Sequence, residues 1–270
     1  MERQYSINKE DIAVVVPVYL STLSEMEKVS FEQCLKLLSG YHIVIIKPEH
    51  LNLEEFIEHY SIIHVENFPD ECFSSLRSYN KLVLTEEFYR RFRDYVYILI
   101  YQLDAYVFRD ELLDWANRGY DYIGAPWISA KKHYRSTLGR FRLLTQRFVY
   151  KLFGCQSYKS PKFYAYQVGN GGLSLRKVDK MIALTSFYKE KITRLLDDNV
   201  EFYPEDVFLL LEITDKRYRL QKPSFSEALK FSIDERPELA CRYNNGNLPF
   251  GCHAWYDEKY YPFWSLIIKK

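Results

Sequence analysis

The chain has 270 residues, and its 37 Lys and Arg against 36 Asp and Glu give a formal net charge of +1. This balance argues against a nucleic-acid partner, because domains that bind nucleic acid usually carry a clear basic excess. With 47% hydrophobic and 27% charged residues the composition is globular, which excludes a disordered chain and predicts one large domain or two small ones.

Apolar, β-branched runs alternate with helical patterns through the first half of the chain. Ser24 and Glu27 have the spacing of a capping box at the start of the first helical pattern. Such alternation is typical of a parallel α/β sheet, whose ligands bind beyond the carboxyl ends of the strands. The predicted strands cover residues 12–18, 42–46, 62–65, 96–103 and 122–123, and the predicted helices cover 23–38, 53–59, 75–92, 110–118 and 179–196.

The sequence also predicts the cellular compartment of the protein. Its charged N-terminal residues lack the apolar stretch of a signal peptide, and no apolar run approaches the roughly 18 residues of a transmembrane helix. The five cysteines are scattered and form no CxxC pair, which argues against a disulfide framework and a zinc ribbon. We therefore expect a cytoplasmic protein that is soluble or peripheral at the membrane.

Asp104 follows the apolar strand 96–103 in the run YILIYQLDAYVF. A carboxylate at the end of a buried strand is costly unless it is paired or binds a cation. It is either a cap of the following turn or a group that faces a metal-bound diphosphate or a ribose. No GxGxxG and no GxxxxGK[ST] occurs, so the dinucleotide-binding and P-loop classes lack their motif.

Three further segments carry residues that could take part in ligand binding or catalysis. VGNGGLSLR (168–176) either lets the backbone approach a ligand closely or forms an ordinary tight turn. PEDVFL (204–209) places two carboxylates at the start of an apolar helix. They act either as a catalytic base or only as partners of the helix dipole. PFGCHAW (249–255) holds His253 among aromatic residues, where a structural role is the alternative to a functional one.

In their order, the segments PVY, YNKL, QLDAYVF, YDYIGAPW, GNGGLSLR, PEDVF and PFGCHAW resemble an uncharacterised domain family assigned to the GT-A-type glycosyltransferases. The resemblance covers about residues 12–264. It implies an α/β fold, a single Rossmann-like GT-A domain with a mainly parallel central sheet flanked by helices. Within it, 12–125 would be the half that binds the nucleotide sugar, 131–162 a basic insertion, and 163–270 the acceptor and catalytic half.

The resemblance also implies roles for particular residues. Asp206 matches the carboxylate that acts as the base in inverting members, with Glu205 beside it. Asp104 and His253 match metal ligands, but Tyr106 stands where the DxD motif has its second Asp, so dependence on Mn²⁺ or Mg²⁺ stays open. The residues implied to bind the donor are Pro17, Val18, Tyr19, Arg77, Asn80, Lys81, Asp104, Ala105, Tyr106, Gly169, Asn170, Gly171 and Gly172.

The function implied is transfer of a sugar from a UDP- or GDP-linked donor to a hydroxyl of a glycan or a lipid-linked glycan, with inversion. An inverting transfer needs a carboxylate base for the acceptor hydroxyl, which PEDVF supplies. The alternative is a catalytically inactive carbohydrate- or nucleotide-binding protein of the same fold. A sugar nucleotidyltransferase is disfavoured, because PVYLSTLSEMEK lacks the Gly-rich, basic loop expected after the first strand.

The segment 131–162 is strongly basic. No Asp or Glu occurs between Asp121 and Asp179, and Phe141, Leu144, Phe148 and Leu152 recur at helical spacing with Arg140, Arg147 and Lys151 beside them. A basic amphipathic helix of this kind predicts contact with an anionic membrane surface. The alternative is a helix that packs its apolar side on the domain and leaves its basic side in water. The nine Lys and Arg are Lys131, Lys132, Arg135, Arg140, Arg142, Arg147, Lys151, Lys159 and Lys162.

Overall fold

A computed structural model describes residues 6–54, 58, 63–129, 131–153, 163–197 and 202–269. It has a central sheet of six strands and a small sheet of three. The strands are β1 (Ile12–Pro17), β2 (His42–Pro48), β3 (Ile63–Phe68), β4 (Tyr97–Tyr101), β5 (Tyr106–Val107), β6 (Tyr122–Ile123), β7 (Leu173–Lys177), β8 (Ser232–Ile233) and β9 (Gly251–Cys252).

The central sheet has the order β3-β2-β1-β4-β7-β6. Strands β1 to β4 run parallel to one another, whereas β7 is antiparallel to both β4 and β6. The predicted mainly parallel sheet is therefore confirmed. The β4–β7 register pairs Tyr101 with Leu173, so the Gly-rich segment before β7 lies beside the residues that follow β4.

The small sheet, in the order β5-β9-β8, brings three distant parts of the chain together. Cys252 of β9 pairs with Tyr106 of β5 on one side and with Ile233 of β8 on the other. As a result Asp104, Asp234 and His253, each within two residues of one of these paired positions, are brought to one place.

The helices flank these sheets. The predicted capping box is present, because Ser24 Oγ accepts a hydrogen bond from the Glu27 amide and the Glu27 side chain accepts one from the Ser24 amide. The described helices are α1 (Glu25–Leu38), α2 (Leu76–Leu82), α3 (Glu86–Arg90), α4 (Leu112–Asn117), α5 (Thr137–Leu152), α6 (Val178–Phe187), α7 (Lys189–Leu195), α8 (Glu205–Leu211), α9 (Phe225–Phe231), α10 (Pro237–Tyr243) and α11 (Tyr261–Trp264).

Two predicted long helices are each divided. The predicted helix 75–92 is interrupted before Thr85, whose hydroxyl donates to the Leu82 carbonyl and accepts from the Phe88 amide, so that it ends one helix and caps the next. The predicted helix 179–196 is divided at Tyr188. Most of the predicted helix 53–59 lies outside the described residues.

The core lies on both faces of the central sheet. Alternate residues of β1 point to opposite sides: Val14 joins the cluster with Phe31 of α1, and Val15 joins the cluster with Met181 of α6. This double burial explains why β1 is a continuous apolar run. Within the part of the chain that the structure describes, no helix is both long and apolar enough to cross a membrane.

Candidate active site

A cleft of about 400 Å³ opens beyond the carboxyl ends of β1 and β4. Pro17 and Tyr19 line it from the end of β1, and Gln102 and Asp104 line it from the end of β4. Tyr256, from the segment after β9, contributes a further wall. This is the edge at which parallel α/β sheets bind their ligands, so the cleft is the candidate active site.

At the cleft, His253 lies between two carboxylates. Its Nε2 is 3.1 Å from Asp104 Oδ1 and 3.1 Å from Gln102 Oε1, and its Nδ1 is 2.9 Å from Asp234 Oδ1. The Asp104 side chain is 31% exposed, whereas those of His253 and Asp234 are 14% and 15% exposed. Of the three, Asp104 is therefore the group most available to a ligand.

The charges in this cluster stabilise one another. Burial by itself would raise the pKa of Asp104, but the charge and hydrogen bond of His253 outweigh it and lower that pKa. Burial likewise opposes the charged form of His253, yet Asp104 and Asp234 hold its pKa well above the usual range. Near neutral pH the cluster therefore pairs the Asp104 carboxylate with a cationic imidazole.

The Gly-rich loop 169–172 packs directly against His253. Asn170 adopts a left-handed backbone conformation (φ 60°), and its Nδ2 donates to Asp234 Oδ2 at 2.6 Å. The Gly172 amide donates to Asn170 Oδ1, and the Gly172 carbonyl accepts from the Gln102 amide. A Cβ on Gly172 would lie 1.9 Å from His253 Nε2, so only glycine fits at this position.

Glu205 and Asp206 have different surroundings at the start of α8. Glu205 is buried, and its Oε1 lies 2.5 Å from Arg176 Nη2 although it accepts no hydrogen bond of good geometry. Arg176 in turn donates to Tyr89 Oη at 2.8 Å and to Ser174 Oγ at 3.0 Å. Glu205 is thus the counter-charge of a buried arginine.

Asp206 is half-buried. Burial, together with the charges of Glu205 and Asp234, raises its pKa to about 7, against the opposing effects of the Val207 amide and Arg176. Burial also lowers the pKa of Lys222, to about 8, although Asp206 and Glu205 favour its charged form. A carboxyl that titrates near neutrality can accept a proton in that range, as a general base must.

Of the remaining predicted donor residues after β1 and β4, Val18 and Ala105 are buried and Tyr106 is partly buried. The Val18 side chain is in the core, and its amide donates to the Ile46 carbonyl. Ala105 is fully buried. The ring of Tyr106 packs against Phe108 and Trp255, with centroids 5.3 and 6.1 Å away, so the residue that the resemblance aligns with the second Asp of a DxD motif belongs to an aromatic cluster.

The predicted donor residues on α2 point in several directions. The Arg77 guanidinium donates to the Asp197 carbonyl, and Asn80 Oδ1 accepts from the Glu205 amide, which joins α2 to α8. Lys81 lines a neighbouring groove rather than the cleft of Asp104. Their roles in donor binding stay predictions.

Sequence reasoning missed four residues of this site: Gln102, Arg176, Lys222 and Asp234. Asp234 had a usable signal, because it follows the short apolar run FSI as Asp104 follows its strand. Nothing in the spacing of Arg176 or Lys222 distinguishes them from surface basic residues. The predicted metal ligands Asp104 and His253 do come together, but among the described residues no group of three or more His, Cys, Asp or Glu is arranged to hold a metal ion.

Comparison with known proteins places the chain in a family. A family model described as "Protein of unknown function (DUF5672)" matches residues 62–253, more than half of the chain, and the chain belongs to this family. Comparison with curated proteins gives no match.

Solved structures show the fold. The galactosyltransferase LgtC, in complex with donor and acceptor sugar analogs, is 11% identical with a TM-score of 0.55, and the match covers 96% of each chain. Mouse xyloside xylosyltransferase 1 is 11% identical with a TM-score of 0.52 over 90% of this chain and 96% of its own. Core-mannan synthase A from Aspergillus fumigatus was solved with manganese and GDP. It is 10% identical with a TM-score of 0.46, and the match covers 74% of this chain and 70% of its own. The chain therefore has the fold of the GT-A glycosyltransferases.

Proposed function

We propose that this protein is a glycosyltransferase, which transfers a sugar from a nucleotide-diphosphate donor to a hydroxyl of a glycan or glycoconjugate. One observation carries the proposal. Asp104 lines a cleft at the carboxyl edge of a GT-A sheet, and its carboxylate lies 3.1 Å from His253, which is 149 residues away in sequence. A carboxylate that is only partly buried there suits a ligand with a strongly charged diphosphate and its counter-ion.

The donor would bind along the cleft, with its nucleoside near Pro17 and Tyr19 and its diphosphate near Asp104. A divalent cation would fit this donor set by displacing the proton on His253 Nε2, because the neutral imidazole would then offer a nitrogen ligand beside the Asp104 oxygen, and the diphosphate would offer more oxygens. When bound, it would neutralise charge on the departing diphosphate. Asp234, by accepting from His253 Nδ1, would orient the imidazole so that Nε2 faces the cleft.

Asp206 would be the base of the transfer. In the proposed inverting reaction the acceptor oxygen bonds to the anomeric carbon, the bond from that carbon to the phosphate oxygen breaks, and the hydroxyl proton passes to Asp206. The half-buried position of Asp206 and its pKa of about 7 support this role. Glu205 would act indirectly, since its charge helps to raise that pKa.

Thermal denaturation with UDP and with GDP, each with and without Mn²⁺, tests donor binding. A ligand at 100 times its dissociation constant adds about 2.7 kcal/mol to the free energy of unfolding, which is readily measured. We expect one nucleotide to stabilise the wild type and to stabilise Asp104→Ala much less. The proposal would be contradicted if the nucleotide stabilised Asp104→Ala as much as the wild type, or if neither nucleotide stabilised the wild type.

A second candidate is a carbohydrate- or nucleotide-binding protein of the same fold without catalysis. The observation that favours it is Tyr106, whose ring packs in the aromatic cluster where a second metal-binding carboxylate would stand. Nucleotide binding without consumption of any nucleotide sugar would favour this candidate.

A further inference from the structure

Helix α5 packs on the protein through the side that carries Arg140, Leu143 and Arg147. Leu143 is buried against Ala165, and the Arg147 guanidinium donates to the Ala165 carbonyl. The Arg140 guanidinium lies over the ring of Tyr166, 4.5 Å from its centroid, and also faces two further aromatic rings. Arg140 and Arg147, two of the basic residues that the alternative reading places in water, therefore hold the helix against the rest of the protein.

The opposite side of α5 is apolar and exposed. The predicted stripe of Phe141, Leu144, Phe148 and Leu152 lies on this side, with exposures of 59–67%. The alternative prediction, an apolar side packed on the domain with a basic side in water, is wrong, because the helix is turned the other way. We call this exposed set the α5 apolar face: Leu138, Phe141, Leu144, Phe148, Val149, Leu152 and Phe153.

An amphipathic helix normally turns its apolar side to the core, and contiguous exposed apolar patches mark contact sites. The surroundings of the α5 apolar face are basic: Lys131, Lys132 and Arg142 are exposed. No Asp or Glu occurs in the sequence between Asp121 and Asp179 to offset them. The side chain of Lys151, and Lys159 and Lys162, lie outside the described residues.

We propose that the α5 apolar face binds the interface of an anionic membrane. Its phenylalanines and leucines would enter the boundary between headgroups and acyl chains, and Lys131, Lys132 and Arg142 would contact anionic headgroups. A second copy of the chain is a poorer occupant, because pairing two such faces brings their basic surroundings together at a cost. The basic charge around the α5 apolar face therefore favours an anionic membrane over a second copy of the chain as its partner.

The position of α5 relates this surface to the candidate active site. The helix is fastened to Ala165 and Tyr166, and the chain continues within a few residues to the loop 169–172 that packs against His253. Docking through α5 would hold the cleft near the membrane, and the acceptor hydroxyl would then belong to a lipid-linked glycan. This identification of the acceptor rests on the proposed glycosyltransferase function, whereas binding of the surface to membrane does not.

Co-sedimentation of the full chain with vesicles tests the proposal. We expect the wild type to pellet with vesicles of phosphatidylcholine and phosphatidylglycerol, and more weakly with phosphatidylcholine alone or at high salt. Each basic residue at an anionic surface contributes about fivefold in binding, so Lys131→Glu/Lys132→Glu should lose at least about 25-fold. The control Lys216→Glu/Arg219→Glu changes two exposed basic residues elsewhere and should bind more nearly as the wild type does.

The apolar contribution is tested by Phe141→Ser/Phe148→Ser, which alters only exposed side chains, with Leu266→Ser as an exposed apolar control. We expect the double variant to keep its thermal midpoint and lose vesicle binding. The proposal is overturned if the wild type does not pellet, if it pellets equally with neutral vesicles, or if the double variant binds as the wild type does. It is also overturned if light scattering shows a dimer that the double variant converts to a monomer without any vesicle binding. None of these assays contains donor or acceptor, so their failure is distinct from failure of the proposed catalysis.

Discussion

The buried pair of Arg176 and Glu205 provides a sharp prediction for stability. Their side chains are 1% and 5% exposed, and the nearest charged atoms are 2.5 Å apart. The substitution Glu205→Gln leaves the arginine charge buried, with hydrogen bonds to the neutral groups Tyr89 Oη, Ser174 Oγ and the Gly171 carbonyl. Breaking one side of a buried ion pair typically costs about 3–5 kcal/mol, and we expect a loss of this size in the free energy of unfolding.

The assay is urea unfolding followed by circular dichroism, run as a double-mutant cycle with Arg176→Met. Removing both charges eliminates the unpaired ion, so Arg176→Met/Glu205→Gln should lose less than the two single variants together. Glu25→Gln, which breaks the exposed pair with Lys28, is the matched control and should have little effect. A loss below about 1 kcal/mol for Glu205→Gln, or strict additivity in the cycle, would refute the reasoning.

Three further predictions concern the candidate active site. Asp206→Asn should lower turnover by about 10²-fold or more with donor binding unchanged. The wild-type rate should rise with pH through about 7, as the base ionises, and the variant should lose this rise. Asp234→Ala should weaken Mn²⁺-dependent nucleotide binding by about tenfold, because His253 loses its orienting partner, and titration calorimetry without Mn²⁺ should show no such loss. Gly172→Ala should remove the same Mn²⁺-dependent binding, because its Cβ would collide with His253, whereas Gly40→Ala, near only a flexible lysine side chain, should retain it.

The alternation of strands and helices in the first half of the chain and the sheet edge that holds the cleft could be predicted from the sequence, whereas the order of the strands within the sheet was not predicted. The run Ile12–Pro17 is apolar at every position because both of its faces are buried, and that pattern alone indicates a parallel sheet. The position of Asp104 after such a strand indicated the cleft. In both cases a local pattern reports directly on burial.

Other parts of the site depend on contacts between distant segments. Asp234 follows a short apolar run, but nothing in that run indicates that β8 pairs with β9, and it is this pairing that brings Asp234 to His253. The ion pair of Arg176 with Glu205 depends on how β7 and α8 meet, which spacing does not encode. The sequence left the orientation of α5 open between two readings: its period predicts an apolar side, but only the contacts of Arg140 with an aromatic ring and of Arg147 with a carbonyl show that this side faces outward.

The most direct test of the central claim is a panel of UDP- and GDP-linked sugars incubated with the protein and Mn²⁺, with release of the nucleoside diphosphate as the measurement. Slow hydrolysis by water needs no knowledge of the acceptor. The account predicts that at least one donor is consumed by the wild type, and that Asp104→Ala and Asp206→Asn both abolish most of this release. A panel in which every donor stays intact, or in which both variants release diphosphate at the wild-type rate, would contradict it.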